Sequence, residues 1–485
     1  MKESADTFEL PESSNRERQL QEALLKELET KRKIKSIVVP TDDGRVRVLL
    51  RQLGDPVTLF GEREMERRER LKKIIATREG TIDIELPTTA GAMLVDEAPV
   101  QTDLFYTEGG EALKKARLEL AGASLRHAQQ RLAQARALRE DSFATEVHLH
   151  QQQETLKDIR HLAQQSSEIG GDRPISGCEF SPDGGLLATC GWGGGLSVWS
   201  SPQCKKLWSV TAHEERCTGV AWHPAATASC AAAAQTSSSG ETVPGTVALA
   251  TSSADCSARL FDGTGRLIRK LEGHSMRLGR LAFHPFGRHL GTASYDLTWR
   301  MWDLETGACL LEQEGHSRAV YSVAFHPDGS LAASVGLDAY GRVWDLRTGR
   351  SVYTMEGHVM QILSVDFSPN GHHLVTGSGD HTCKIWDLRT KKLLYTMPGH
   401  RSLVSSVKYE RKCGGSYLLS GAYDCVAKVW SARDFSLLKT LAGHEGKVMG
   451  CDVAADGNNT IATVSYDRTI KIWSPERTDM EGMQF

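Results

Sequence analysis

One pattern of apolar and polar positions occurs twice in succession between Gly315 and Asp387, with a period of 42 residues. Gly315-His316 recurs as Gly357-His358, and Trp344-Asp345 recurs as Trp386-Asp387. A unit that repeats at a fixed period and cannot bury its apolar face alone must stack against neighbouring copies. The pattern therefore predicts an array of equivalent, stacked units.

The repeat extends in phase towards both ends of the chain. A period of about 40–45 residues that begins with Gly-His and ends with Trp-Asp is the signature of WD40 β-propeller blades. The histidine marker recurs at His213, His274, His316, His358, His400 and His444. The aromatic residue that closes a blade recurs at Trp199, Phe261, Trp302, Trp344, Trp386, Trp430 and Trp473. We therefore predict an all-β, seven-bladed WD40 propeller at residues 165–485, preceded by an α-helical N-terminal region.

An Asp lies six residues before six of the closing aromatics, and a Ser often lies two residues before that Asp. Because a buried indole N–H needs a partner, we expect Asp, His, Ser and Trp to form one hydrogen-bonded chain inside the blade. A catalytic triad occurs once per site, whereas this set recurs around a ring, so we interpret it as structural. The full sets are His274, Ser294, Asp296 and Trp302; His358, Ser378, Asp380 and Trp386; and His444, Ser465, Asp467 and Trp473.

The blades depart from the repeat in three places. The last blade ends at Trp473, so its outer strand must come from elsewhere, and we expect residues 165–170 to supply it and close the ring. In the second blade, residues 225–245 form a low-complexity insertion that we interpret as a disordered surface loop. In the first blade, Gly193 stands where the Asp is expected.

The first 80 residues predict helices. Residues 1–35 are charged, and we expect them to be partly helical or disordered. In residues 36–80, Thr41 can cap a helix that ends at Gly54, and a second helix is expected from about Glu62 to Thr77. Met65, Leu71, Ile74 and Ile75 are expected on the apolar face of this second helix. Two short helices form a small core at best, so this module needs a partner.

Residues 81–103 show no sustained period and predict a linker, whereas residues 104–164 predict a helical region. Leu113, Ala116 and Leu120 keep helical spacing, and residues 122–124 are expected to break the helix, with Ser124 as the next N-cap. The spacing then continues through Leu125, Ala128, Leu132 and Ala135, and a last helix is expected at about 144–164. We expect these stripes to dock onto a neighbouring domain rather than to form a coiled coil.

One face of the predicted propeller is a candidate binding surface. The loops after the histidines and the turns before the Asp residues open on the same face, and they carry basic and aromatic side chains. This mixture suits an acidic peptide or an RNA backbone, although an ordinary polar rim has the same composition. The candidate rim residues are Arg277, Arg318, Arg401, Lys447, Tyr295, Tyr423 and Tyr466.

Composition narrows the location and the chemistry. The 58 basic and 61 acidic residues nearly balance, so any contact with nucleic acid must be local. The N-terminus lacks the features of a signal peptide, and no apolar run is long enough to span a membrane. The 11 cysteines are scattered, which favours reduced thiols in the cytosol or nucleus. The basic run at residues 31–35 fits either a nuclear import signal or a solvated helix end.

The module at residues 36–80 resembles the splicing-factor motif of the pre-mRNA-processing factor 4 family, the WD40 subunits of the U4/U6 small nuclear ribonucleoprotein. Shorter matches occur at residues 105–109 and 116–118. The motif residues are Thr41, Asp42, Leu53, Gly54, Pro56, Leu59, Phe60, Gly61, Glu62, Arg67, Arg68 and Arg70. The three arginines are the best candidates for polar contacts with a partner, although the interleaved acids also fit a mixed solvated face.

The resemblance implies a nuclear, non-enzymatic scaffold of the U4/U6 and U4/U6.U5 tri-small nuclear ribonucleoproteins in pre-mRNA splicing. It implies pre-mRNA-processing factor 3, a spliceosomal cyclophilin and other U4/U6 particle proteins as partners, with U4/U6 RNA contacted directly or indirectly. It implies no cofactor, no metal and no membrane.

A signalling or ubiquitin-ligase WD40 adaptor is the alternative that the propeller leaves open. The module at residues 36–76 separates the two, because those adaptor families lack it. An enzyme is not predicted, since we find no Gly-rich phosphate loop and no metal-ligand spacing.

Overall fold

The structure is a computed structural model that describes residues 39, 43–57, 62, 64–77, 110–226, 247–412 and 414–476. The chain divides into two compact units, Met1–Asp103 and Leu104–Phe485. Several predictions lie outside the described residues: residues 1–35, the linker at 81–103, most of the insertion at 225–245, and Thr41, Asp42, Leu59, Phe60 and Gly61.

The first unit contains two short helices, α1 at Asp43–Gln52 and α2 at Glu64–Thr77. Val46 and Leu50 of α1 pack against Leu71 of α2 in a small core. The first helix ends where the sequence predicts, because Gly54 adopts a φ of +71°, which favours glycine. The prediction that Met65 joins the apolar face was wrong, since it is 75% exposed. It lies six residues before Leu71 and therefore on a different side of the helix.

The second unit contains seven four-stranded antiparallel sheets, so the predicted seven-bladed propeller is confirmed. The first three blades are β2 Ile175–Phe180, β3 Leu186–Gly191, β4 Gly195–Ser200 and β5 Lys205–Thr211; β6 Cys217–Trp222, β7 Leu249–Ser253, β8 Ala258–Phe261 and β9 Leu267–Leu271; and β10 Leu278–Phe283, β11 His289–Ser294, β12 Trp299–Asp303 and β13 Cys309–Gln313. The next three are β14 Val320–Phe325, β15 Leu331–Gly336, β16 Gly341–Asp345 and β17 Arg350–Met355; β18 Ile362–Phe367, β19 His373–Ser378, β20 Thr382–Asp387 and β21 Lys392–Pro398; and β22 Val404–Tyr409, β23 Tyr417–Ala422, β24 Val426–Ser431 and β25 Leu437–Ala442. The seventh consists of β26 Val448–Val453, β27 Ile461–Ser465, β28 Thr469–Pro475 and β1 Leu162–Ile169.

The seventh blade takes its outer strand from the segment that precedes the first blade. β1 pairs antiparallel with β28, from Leu162 opposite Pro475 to Ile169 opposite Thr469. The predicted closure of the ring is therefore confirmed, although the strand begins at Leu162 and not at residue 165. Leu162 is an apolar residue that packs into the core of the last two blades, which explains the earlier start.

The seven inner strands contact one another in a closed ring around a central channel. We call the side that carries the loops between blades (such as 272–277) and the turns between second and third strands (such as 295–298) the upper face. The opposite side, which carries turns such as 326–330 and 346–349, is the lower face. Because each blade is an antiparallel meander, its four strands alternate between these two faces.

Two helices of the second unit pack near the lower face: α3 at Glu111–Glu140 and α4 at Ser142–Arg160. Leu113 and Leu120 of α3 are buried in the core of the third and fourth blades. The guanidinium of Arg131 donates to both carboxylate oxygens of Asp328 at 2.9 and 2.7 Å and to the Asn370 carbonyl at 2.7 Å. These contacts fix α3 across two neighbouring blades, as the expectation of docking helices requires.

Three predictions about this helical region were wrong. The helix does not break at residues 122–124, and the Ser124 hydroxyl donates to the Ala121 carbonyl inside α3 at 3.2 Å. Leu125 and Leu132 do not continue the buried stripe, since they are 61% and 44% exposed. In an uninterrupted helix, they fall on a different side from Leu120. The last helix ends at Arg160, because the chain must extend from residue 162 to form β1.

Candidate functional site

Each of the third to seventh blades contains a chain of hydrogen bonds from Trp to Asp. In the third blade the Trp302 indole N–H donates to the Thr292 hydroxyl at 2.9 Å, which lies 2.8 Å from His274 Nε2. The other ring nitrogen of His274 lies 2.7 Å from the Asp296 carboxylate. An indole only donates and a carboxylate only accepts, so Thr292 must donate to Nε2, and His274 must donate from Nδ1. The equivalent hydroxyls in the other four blades are Ser334, Thr376, Ser420 and Thr463.

The predicted chain was wrong in the identity of its hydroxyl residue. We expected Ser294, Ser378 and Ser465, but the linking hydroxyl belongs to the residue four positions before the Asp. Trp302 lies opposite Leu290 in the ladder, so Thr292 lies nearer to the indole than Ser294. The serine instead accepts the backbone N–H of the Asp, as Ser378 does from Asp380 at 3.3 Å and Ser465 does from Asp467 at 3.2 Å. These serines therefore hold the turn.

The electrostatics of these chains support a structural role. Burial acts to raise the pKa of Asp467, but hydrogen bonds from Thr469 and His444 outweigh it and lower that pKa to about 2. Burial lowers the pKa of His444, so the neutral ring that the chain requires is favoured. A stable carboxylate beside a neutral imidazole, with both groups hydrogen-bonded inside the blade, fits a role in holding the blade together.

A second group of histidines links neighbouring blades at the lower face, and sequence reasoning missed it. His223, His284 and His326 each donate from Nε2 to the carbonyl of a glycine in the next blade, at 2.7, 2.9 and 3.1 Å. The available signal was a His-Pro pair that follows the inner strand in three consecutive blades. Burial lowers the pKa of His284 to about 4.

The upper face brings the predicted basic and aromatic side chains together. The Arg277 guanidinium lies 3.9 Å from the ring centre of Tyr295, and the Lys447 ammonium lies 5.0 Å from that of Tyr423. Both distances suit a cation–π interaction. Arg318 and Arg401 are exposed in the equivalent loops of other blades. The surface therefore presents positive charge beside aromatic faces around several blades.

Sequence reasoning missed Arg216 and Trp192 on this surface. Arg216 lies 5.2 Å from the ring centre of Trp192, which in turn packs edge-on against Tyr466 at 5.6 Å. Arg216 follows His213 at the same interval at which Arg277 follows its own histidine, so the spacing was available in the sequence. Arg280 was also missed, and its guanidinium donates across the channel to the Met449 carbonyl at 2.9 Å.

A cavity of about 500 Å³ opens where the channel meets the lower face, and charged side chains line it. Each of three carboxylates accepts a backbone N–H of the next blade: Glu179 from Trp222 at 3.0 Å, Asp366 from Tyr409 at 2.8 Å, and Asp452 from Phe180 at 2.7 Å. Burial acts to lower the pKa of Lys408, but these carboxylates outweigh it and raise that pKa. The acids thus join blades, and the charges of the cavity compensate one another.

The described part of the N-terminal motif uses its arginines internally. The Arg67 guanidinium, only 6% exposed, contacts the Asp43 carboxylate at 2.5 Å. Arg70 donates to both oxygens of Glu62 at 2.7 and 3.0 Å and to the Pro56 carbonyl at 2.8 Å. The hydrogen bond with Glu62 raises the pKa of Arg70. The expectation that Arg67 and Arg70 face a partner was therefore wrong, because these contacts join α2 to residues 43–62.

No group of His, Cys, Asp and Glu among the described residues could hold a metal ion. No helix in the described ranges is long and apolar enough to cross a membrane.

Comparisons with known proteins identify both parts of the chain. The model of the WD domain, G-beta repeat, matches residues 164–200, 265–303, 307–345, 349–387, 391–431 and 435–474. The model described as pre-mRNA processing factor 4 (PRP4) like matches residues 46–74. The U4/U6 small nuclear ribonucleoprotein PRP4-like protein of Arabidopsis thaliana is 45% identical over 274 residues, and the U4/U6 small nuclear ribonucleoprotein Prp4 of Homo sapiens is 45% identical over 226 residues. The chain therefore carries a PRP4-like motif together with WD40 repeats, and it is similar to proteins named U4/U6 small nuclear ribonucleoprotein Prp4.

The alignments with individual relatives cover only part of each chain. The aligned region covers 55% of this chain and 45% of the Arabidopsis protein, and 47% of this chain and 42% of the human protein. The U4/U6 small nuclear ribonucleoprotein PRP4 of Saccharomyces cerevisiae is 31% identical over 56% of each chain. The chain thus spans about half the length of the relatives it matches. The repeat model does not match the first three strands of the second blade, where an insertion separates β6 from β7 and Phe261 replaces the closing Trp.

Proposed function

We propose that this chain is a non-enzymatic scaffold of the U4/U6 small nuclear ribonucleoprotein, and of the U4/U6.U5 tri-small nuclear ribonucleoprotein, in pre-mRNA splicing. One observation carries the proposal: the PRP4-like motif at residues 46–74 and a WD40 propeller occur in a single chain. A propeller alone fits many binding roles, whereas this combination matches relatives whose names place them in the U4/U6 particle. The proposed location is the nucleus.

The charged groups of the propeller support a binding role over a catalytic one. The His–Asp pairs are parts of hydrogen-bond networks inside the blades, and the carboxylates of the lower cavity join neighbouring inner strands. On the upper face, Arg277 and Lys447 lie beside aromatic rings. We assign this surface to an acidic peptide or an RNA backbone of the particle, because cations beside aromatic faces suit both.

The partners proposed from the family are pre-mRNA-processing factor 3, a spliceosomal cyclophilin and other U4/U6 particle proteins. The N-terminal module supplies a second binding element in this proposal. Its fold uses the Asp43–Arg67 and Glu62–Arg70 pairs, so we assign its partner contacts to exposed positions such as Met65 and Val48, which are 75% and 52% exposed.

The proposal is tested by assembly of variants in α1. Leu50→Asp places a carboxylate in the buried core of the module, whereas Val48→Asp changes an exposed position of the same helix. Tagged full-length chains are immunoprecipitated from nuclear extract and blotted for U4 and U6 RNA. We expect the wild type to recover both RNAs and the Leu50→Asp variant to lose most of that recovery. Absence of both RNAs from the wild-type precipitate would contradict the proposal.

The upper face is tested by charge reversal in the same assay. Arg277, Arg318 and Arg401 are changed together to Glu, and the control reverses exposed lysine and arginine residues of lower-face turns, Lys205, Arg266 and Lys392. We expect the upper-face variant to fold and to lose one partner protein or RNA, because like charges oppose an acidic surface. Equal loss in both variants would assign the effect to total charge, and no loss in either would move the binding site to another face.

A further inference from the structure

Helix α3 carries a second apolar stripe, on a different side from the one that packs on the propeller. The buried side holds Leu113 and Leu120, which are 6% and 2% exposed. Leu118, Leu125 and Leu132 are 75%, 61% and 44% exposed. Leucines at these exposures leave a continuous apolar surface in water, which a single soluble helix rarely does without a binding role.

The stripe has the spacing of a helix–helix interface. The three leucines recur every seven residues, and an alanine follows each of them by three residues, at Ala121, Ala128 and Ala135. Apolar residues at the first and fourth positions of successive heptads form the seam along which a second helix packs. From Leu118 to Ala135 the seam is about 25 Å long at 1.5 Å per residue.

The surface along the seam is open to close approach. A Cβ placed on Gly122 would meet only the Arg126 guanidinium at 3.9 Å, so the backbone of α3 is uncovered there. The alanine methyl groups leave similar shallow holes between the leucines. Leucine knobs of a partner helix fit such holes, and the small residues allow the two helix axes to lie close together.

The charges beside the seam select the partner. Five exposed basic side chains lie along this part of α3: Lys114, Lys115, Arg126, Arg136 and Arg139. The one acidic residue of α3 between Glu111 and Glu140, Glu119, contacts Arg288 of the propeller at 2.7 Å. A second copy of α3 would bring basic side chains against basic side chains. An acidic helix would instead meet opposite charge at both ends of the seam, near Lys114 and Lys115 and near Arg136 and Arg139.

The side-chain composition of the stripe favours a protein helix over RNA as its ligand. Exposed basic residues can attract phosphate, but an RNA backbone would leave the apolar stripe uncovered. The exposed stripe consists of leucine and alanine, and the nearest ring on α3, His127, packs against Phe286 of the propeller at 4.8 Å. We propose that the exposed face of α3, formed by Leu118, Ala121, Leu125, Ala128 and Leu132, binds an acidic amphipathic helix of a partner protein.

The test uses the purified full-length chain and a designed peptide of four heptads, with Leu and Ala at the seam positions and Glu at the flanking positions. Binding of the fluorescein-labelled peptide is measured by anisotropy. We expect binding that weakens with salt and falls at least about tenfold in the Leu125→Glu variant, since a charge then replaces a buried leucine. Leu267→Glu is the control, because Leu267 is 45% exposed on a strand far from this seam.

A charge-swap arm keeps the test independent of folding defects. Lys115→Glu with Arg136→Glu, both at positions that flank the seam, should weaken binding of the Glu peptide and strengthen binding of an otherwise identical Lys peptide, which a misfolded chain cannot do. The proposal fails if the Glu peptide does not bind, if Leu125→Glu and Leu267→Glu behave alike, or if both peptides bind equally. A photo-crosslinker at position 125 in native particles should join an acidic helical segment, and crosslinks only to RNA or to a second copy would overturn the proposal.

Discussion

Thr376 provides the most direct test of the hydrogen-bonded chain inside a blade. Its hydroxyl accepts the Trp386 indole N–H at 2.9 Å and contacts His358 Nε2 at 2.7 Å. Thr376→Val removes the hydroxyl and preserves the shape of the side chain, so no cavity forms. The substitution leaves one buried donor and one buried acceptor without their partner, because both side chains lie in the blade interior.

The magnitude follows from these two groups. Each buried polar group that loses its partner costs about 1–3 kcal/mol, so the loss at two groups should destabilise the fold by about 2–6 kcal/mol. The second blade offers a matched control, because Phe261 there replaces the Trp. The Thr251 hydroxyl contacts His213 Nε2 at 2.8 Å and has no indole to bind. Thr251→Val therefore leaves one buried group without its partner, and the loss of unfolding free energy should be about half as large.

Thermal unfolding of the three proteins, with hydrogen exchange of the affected blades, measures this ordering. We expect the Tm to fall by at least about 4 °C for Thr376→Val and by roughly half that for Thr251→Val. Exchange should quicken first in β18–β20 of the Thr376 variant. Equal shifts for the two variants, or no shift for Thr376→Val, would refute the reasoning that the hydroxyl serves both the indole and the imidazole.

Three further predictions concern the propeller. Leu162→Asp should lower the Tm and the soluble yield sharply, because it buries a carboxylate where β1 closes the ring. Ile169→Asp should not, since Ile169 on the same strand is 73% exposed, and similar Tm values for the two variants would contradict closure by β1. Because the pKa of His284 is lowered from 6.5 to about 4, its contribution to stability is complete above pH 6.5 and is lost as pH falls towards 4, so His284→Gln should flatten the Tm-versus-pH curve in that window. Replacing residues 228–245 with a short Gly-Ser link should change the Tm little, because loop length enters closure entropy only logarithmically; a drop above about 10 °C would show that the segment packs.

The ring of blades could be predicted because its marker residues recur at a nearly constant interval along the sequence. The closing aromatic fixes the phase of all seven blades and the histidine marker that of six, and Phe261 still closes the second blade at the expected place. The outer strand β1 could be predicted from a count of strands, since the last blade lacks one after Trp473. Its first residue could not, because the chain at Leu162 fits a helix and a strand equally well until the core of the last two blades is known.

The errors came from contacts that depend on three-dimensional register. Ser294 and Thr292 both point to the same side of β11, and only the pairing of Trp302 with Leu290 decides which one the indole reaches. Residues 122–124 look like a break because glycine and serine disfavour helix, yet docking against the propeller keeps α3 continuous. That continuity is why Leu125 is exposed.

Residues of the candidate surfaces could likewise be predicted where they follow the repeat and were missed where they do not. Arg277 and Tyr295 were found because loop positions repeat from blade to blade, whereas Trp192 was missed because its blade lacks the Asp that marks the turn. The arginines of the N-terminal motif were predicted to contact a partner, because arginine side chains are usually exposed to solvent. The buried contact of Arg67 with Asp43 spans 24 residues, and no local pattern reports such a pair.

The central claim is that this chain is a component of the U4/U6 particle, and unbiased purification tests it most directly. A tagged full-length chain is expressed at native level, purified from nuclear extract under mild salt, and analysed by RNA sequencing and mass spectrometry. The account predicts that U4 and U6 RNA are enriched together, with proteins of the same particle. Recovery of ubiquitin-ligase or signalling subunits without small nuclear RNA would contradict it.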